Sequence, residues 1–215
     1  MDEETQAHYR RLLAEVEAWA KGFGGRLVLG PPVSEEDLAL LPELLGTSAT
    51  SVAPLPSGLL DFWRLCGFAR VEVLRAEDDA EPVWTALPAN FRVYSPDEVM
   101  ASLSQVRIPA GVTRDRHPIT TEHLIPFAAA NRLPQDVQWC IATSGGGLKA
   151  PVLVRNHMDE LAWACFQDSG RFVWETEGQR PGAVFDSFLD WLDAYARDVR
   201  DTAPEDLYPD GVYLE

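Results

Sequence analysis

Between Leu124 and Tyr195 the spacing of apolar residues changes period, and that change restricts the chain to folds in which an antiparallel sheet is followed by a covering helix. The runs Leu124-Ile125-Pro126-Phe127-Ala128, Val137-Gln138-Trp139-Cys140-Ile141-Ala142, Pro151-Val152-Leu153-Val154 and Leu161-Ala162-Trp163-Ala164-Cys165-Phe166 are short and rich in β-branched and aromatic side chains. Such side chains fit a pleated, half-buried surface, so each run predicts a strand. The glycines at 145–147 and the Asp168-Ser169-Gly170 turn supply loop chemistry between them, the latter leading into Phe172-Val173-Trp174. From Val184 the apolar positions become Phe185, Phe188, Leu189, Leu192 and Tyr195, a three-then-four spacing that makes one helical face. Asp186, Asp190, Asp193 and Arg197 fall on the opposite side. The fold class this predicts is α+β, a mostly antiparallel β-sheet flanked by helices.

Upstream, the chain reads as helices with explicit start signals. Leu12, Leu13, Val16, Trp19, Ala20 and Phe23 make the apolar face of a long leading helix, with acids in its first turn and Gly22 near its exit. Val33-Ser34-Glu35-Glu36-Asp37-Leu38 opens a second: the Ser34 hydroxyl can accept the free amide of Asp37, Val33 can pack against Leu38, and Gly46 stops it. Leu55-Pro56-Ser57 leads into a third, largely buried helix through Leu59, Leu60, Phe62, Trp63 and Cys66, with Gly67 as its stop. Residues 68–74 alternate in part and predict the first strand. The acidic loop Glu77-Asp78-Asp79-Ala80-Glu81 follows, then short strands at Val83-Trp84 and Phe91-Arg92-Val93-Tyr94. Ser95-Pro96-Asp97-Glu98 is the clearest capping signal in the chain. Residues 107–123 carry proline, arginine and threonine without a period and read as an ordered loop or variable insertion.

Composition narrows the function. A chain of 215 residues with 46% hydrophobic content can bury a single sizeable core. The formal net charge of -16 argues against direct binding to nucleic acid or an anionic membrane, and favours a basic protein partner. No apolar run approaches the roughly 20 residues that cross a bilayer, and no secretory leader pattern is present, so the expected location is cytoplasmic. Cys66, Cys140 and Cys165 sit far apart in apolar surroundings and read as core thiols. No Cys-x-x-Cys or close His pair gives a metal-ligand spacing, so no metal or cofactor is expected.

The chain matches none of the catalytic motifs its residue types suggest. Ala142-Thr143-Ser144-Gly145-Gly146 lacks the first glycine of a nucleophile elbow. The Gly145-Gly146-Gly147-Leu148-Lys149-Ala150 loop lacks the spacing, the hydroxyl after lysine and the following helix of a phosphate loop. Cys140 and His157 could form a nucleophile–base pair, but Cys140 falls in a core strand and no orienting third group is visible. His8, His117, His123 and His157 are scattered. No catalytic residue is nominated and no enzymatic activity is expected.

Two separated segments carry a family resemblance. Val33-Ser34-Glu35-Glu36-Asp37-Leu38, Leu44-Leu45-Gly46, Leu55-Pro56, Leu60-Asp61-Phe62-Trp63 and Cys66-Gly67 resemble the front half of the SUKH superfamily. Leu124-Ile125-Pro126-Phe127-Ala128, Trp139-Cys140-Ile141, Pro151-Val152 and the closing run from Val184 to Leu192 resemble its back half. Cys66 stands where the family usually has asparagine, and Gln135-Asp136 where it usually has Gly-Asp. Residues 75–123 have no clear family counterpart, which divides the chain into an N-terminal helix and linker (1–32), a SUKH-like α+β domain (33–200) with a variable insertion (75–123), and an acidic tail (201–215). The resemblance implies a protein-binding domain without enzymatic activity; bacterial members are immunity proteins that neutralise a cognate toxin, often a nuclease, and fungal members are regulators.

The expectation is therefore a toxin-binding immunity protein, with a regulatory or scaffolding module recruiting an endogenous partner as the alternative. The expected partner-binding residues are the acidic loop Glu77, Asp78, Asp79 and Glu81, together with Trp84 as the best exposed aromatic and the Asp159-Glu160 turn. Carboxylates there would steer a basic partner and occupy a cleft built for phosphates.

Overall fold

The computed structural model describes residues 1–45, 55–75, 81–86, 91–103, 113–114, 117–118, 124–129, 138–142, 152–155, 184–185 and 187–201. Helix α1 (Glu3–Lys21) starts where the Asp2 carboxylate accepts the Thr5 amide at 2.7 Å. It buries Tyr9, Leu12, Leu13, Val16 and Ala20 along one stripe. Gly22 caps it with ordinary right-handed angles; the left-handed residue that turns the chain is Gly24, at φ 78°. That region carries a Cβ penalty for every residue except glycine.

The turn feeds β1 (Arg26–Leu29), four residues that the sequence reading assigns to a linker. They pair antiparallel with β2 (Ala69–Arg75) in the register Arg26↔Glu72 to Leu29↔Ala69. A strand this short between glycines carries little local signal, and its definition comes from a partner some forty residues downstream. Helix α2 (Glu35–Leu44) begins as expected, with Ser34 Oγ accepting the Asp37 amide at 3.1 Å. Gly46, its expected stop, lies outside the described residues. Helix α3 (Ser57–Leu65) buries Leu59, Phe62 and Trp63 completely.

Strand β3 (Val83–Ala86) forms a hairpin with β2, closed at Arg75↔Val83. Arg26 and Ala86 both partner Glu72, so β1 and β3 flank β2 on opposite sides. Strand β4 (Arg92–Val93) continues along the β3 side, and helix α4 (Pro96–Ser102) follows through a complete capping box of Ser95 and Glu98. Within the expected variable insertion, β5 (Thr113–Arg114) and β6 (His117–Pro118) pair with each other in a separate two-stranded sheet. Strands β7 (Leu124–Ala129), β8 (Gln138–Ala142) and β9 (Val152–Arg155) then form the expected meander. A bulge between Pro126 and Ala128 lets Phe127 enter the core as an extra residue. The strands expected at 161–166 and 172–174 lie outside the described residues.

The closing helix differs at its start. Val184–Phe185 is strand β10, paired with β9, and helix α5 (Phe188–Asp201) begins after Ser187, whose hydroxyl accepts the Asp190 amide. Phe185 fits the helical spacing in sequence, yet pairing with Leu153 satisfies its backbone and sets its ring against Trp139 at 5.7 Å. Among the described residues, eight strands make one sheet in the order β1-β2-β4-β7-β8-β9-β10, with β3 also on β2, and every pairing is antiparallel. With five helices among the described residues this is an α+β fold.

One face of the sheet carries the core. Tyr9 of α1, Phe62 of α3, Phe127 of β7, and Phe188 and Trp191 of α5 pack ring against ring at 4.6–6.3 Å. Buried polar groups are matched where they bind elements together. Tyr9 donates to the Gly58 carbonyl at 2.9 Å, Trp63 Nε1 to the Tyr94 carbonyl at 2.9 Å, and Tyr195 to the Ala129 carbonyl at 2.7 Å. Tyr195 also accepts the Arg92 amide at 3.1 Å, so one hydroxyl joins α5, β4 and β7. Arg200 of α5 pairs with Glu15 of α1 along the helix layer. Among the described residues no helix is long and apolar enough to cross a membrane.

Candidate protein-binding face on the β2–β3 hairpin

Strand alternation assigns the site. Val71 and Val73 turn into the core, so Arg70, Glu72 and Leu74 point to the other face of β2. Their cross-strand partners share that face, which brings Arg26 of β1 opposite Glu72 and Trp84 of β3 opposite Leu74. The result is a patch in which Trp84 is 39% exposed and Leu74 36%, while Val83, paired with Arg75, turns to the opposite face.

A salt-bridged cluster fixes this patch. Glu72 is only 5% exposed, yet it accepts from Arg26 Nε at 3.0 Å, from Arg26 Nη2 at 2.7 Å and from Arg70 Nε at 2.9 Å. Burial pushes the Glu72 carboxyl up, but the hydrogen bonds from Arg26 and Arg70 outweigh it and hold the group below its usual range. One carboxylate between two guanidinium groups leaves the cluster with net positive charge. Arg26, held by Glu72, lays its guanidinium over the Trp84 ring at 4.2 Å from the centroid. A cation–π contact at an exposed site contributes about 0.5–1 kcal/mol, enough to bias the indole toward one orientation. Arg70 makes a similar contact with Phe68 at 4.9 Å.

Of the residues expected to bind a partner, Glu81 and Trp84 fall together at this hairpin, both exposed. Glu77, Asp78, Asp79, Asp159 and Glu160 lie outside the described residues; the first three belong to the connection between β2 and β3, tied at Arg75↔Val83. Sequence reasoning missed Arg26, Arg70 and Glu72. The alternation of Val71-Glu72-Val73 was a signal for Glu72, but nothing near Arg26 in sequence points to a carboxylate forty-six positions away.

Among the described residues the thiols offer no competing chemistry. Cys66 and Cys140 are free and buried; burial alone pushes the Cys66 thiol up to about 12 and raises that of Cys140 as well. Both stay protonated at neutral pH and pack as small apolar groups. Among the described residues no group of three or more His, Cys, Asp or Glu side chains is arranged to hold a metal ion. No protein-family model and no curated protein sequence matches the chain.

Proposed function

We propose that this protein is a non-enzymatic binding module that uses the β2–β3 hairpin face to hold a basic protein partner, acting in the cytoplasm as an immunity protein that neutralises a cognate toxin. The observation that carries the reading is Trp84, exposed on a strand and oriented by an arginine that is itself fixed by a buried carboxylate. Tryptophan and arginine dominate the energetics of protein interfaces, and a ring ordered before binding loses less entropy on contact. Leu74, its cross-strand partner, extends the apolar area beside it, and Glu81 begins the acidic margin. The cluster under Trp84 is itself net positive, so attraction of a basic partner falls to the acidic margin and the overall charge of -16, and the SUKH resemblance supports a toxin as that partner.

The test is co-expression with the product of the neighbouring open reading frame, followed by binding kinetics of the purified pair. Charge reversal at Glu77, Asp78, Asp79 and Glu81 is expected to slow association by about tenfold at low salt and much less at high salt. Trp84→Ala is expected to speed dissociation by about thirtyfold, the effect of a central anchor worth about 2 kcal/mol. A complex whose rates change in neither variant removes the hairpin from the interface, and a neighbour that does not bind removes the immunity reading.

A further inference from the structure

A second surface is lined by residues other than Trp84, Leu74 and Glu72 of the hairpin and owes nothing to the immunity reading. A groove of about 490 Å³ opens where the 31–34 segment and α2 meet the end of α3 and the start of α4. Its apolar lining includes Leu40 and Leu44, one helical turn apart on α2 and 51% and 57% exposed, together with Pro31 and Phe68. Leu38 and Leu41 serve the core from this helix, which leaves about half of each of Leu40 and Leu44 open at the groove. Asp37 and Asp97 stand at the groove from opposite helices, and among the described residues no lysine or arginine lines it.

The charge of the groove selects its occupant. A second copy of this chain would bring another net charge of -16 to an acidic margin, and a two-fold contact would face Asp37 and Asp97 with carboxylates of the same kind. An apolar segment bearing lysine or arginine meets both requirements, filling the space between Leu40, Leu44 and Phe68 while its cations reach Asp37 and Asp97. We propose that this groove docks a short segment of a partner protein that carries two or more apolar side chains beside a lysine or arginine.

The experiment is selection of a displayed random-peptide library on the folded protein, with counter-selection on a Leu40→Ser/Leu44→Ser variant. Both leucines are exposed, and thermal denaturation checks that the variant folds. Enriched peptides are expected to combine apolar residues with lysine or arginine. A synthetic peptide of the enriched sequence is expected to bind the double leucine variant at least about tenfold more weakly. It is expected to bind Asp37→Asn/Asp97→Asn about threefold more weakly at low salt. Trp84→Ala, on the hairpin, is expected to leave this binding unchanged, which separates the groove from the hairpin reading. Four results would overturn the proposal: no enrichment, enrichment of acidic or wholly polar peptides, binding indifferent to the leucine pair, or a concentration-dependent dimer that the leucine substitutions abolish.

Discussion

Replacing Glu72 with glutamine tests the cluster that organises the hairpin face. The substitution keeps the side-chain shape, removes the charge, and turns one acceptor oxygen into an amide that meets a guanidinium donor to donor. Three hydrogen bonds from two arginines depend on that carboxylate. Removing one partner of a fully buried ion pair costs about 3–5 kcal/mol because the remaining charge is stranded. Here the arginine side chains are 47% and 31% exposed and regain water, so the expected loss falls to about 2 kcal/mol. For a chain of this size that is a fall in Tm of about 4–8 °C. The pH dependence has a definite sign. The folded carboxyl is held below its ordinary 4.5, so its stabilisation is complete above that value and is lost as pH falls through the lower folded value. Urea denaturation followed by circular dichroism should therefore show the gap between wild type and Glu72→Gln at neutral pH, narrowing as the solution becomes strongly acidic. A double-mutant cycle with Arg26→Ala should return a coupling energy of about 1 kcal/mol. A variant within about 0.5 kcal/mol of wild type at neutral pH, with no coupling to Arg26, would refute the account of Glu72 as the anchor of this face.

Gly67→Ala is expected to destabilise by about 1–3 kcal/mol, because a Cβ there would lie 2.4 Å from the Pro31 carbonyl oxygen, a backbone atom that cannot swing aside; thermal denaturation reads this. Tyr9→Phe should cost about 1 kcal/mol in chemical denaturation, through loss of the hydrogen bond to the Gly58 carbonyl with the ring packing retained. Ser95→Ala removes the side-chain half of the α4 capping box and should cost about 1 kcal/mol in the same assay. In a Cys165→Ser background, Cys66 and Cys140 should resist a thiol reagent at pH 8 until denaturant is added; rapid native labelling would contradict their burial and raised pKa.

Local chemistry was legible in the sequence. Ser34 and Ser95 each bind the amide three residues ahead, because a capping interaction is complete within a single turn. The apolar stripes of α1, α3 and α5 and the runs of β7 and β8 were readable for a similar reason, since the period of an element is a property of consecutive residues. Trp84 could be nominated as an exposed aromatic by its acidic neighbours alone, and it is exposed. The departures arise where distant residues decide. Arg26–Leu29 is a strand because β2 supplies its hydrogen bonds, and Val184–Phe185 leaves the helical pattern because β9 does the same. The extended Cys66 ends α3, and Gly67, the expected stop, lies beyond it where the close approach of the Pro31 carbonyl leaves no room for a side chain.

The sequence by itself determined which segments could be helices and strands, their caps, the charge of the molecule, and the α+β class that follows from their order. Tertiary structure decided which face of β2 lies open, that Arg26 and Arg70 converge on Glu72 and aim a guanidinium at Trp84, and that Leu40 and Leu44 line a groove rather than the core. The physical reason is range: caps and periods are set within a few residues along the chain, whereas sheet register, a buried ion cluster and the walls of a groove exist only once segments far apart in sequence have closed on one another.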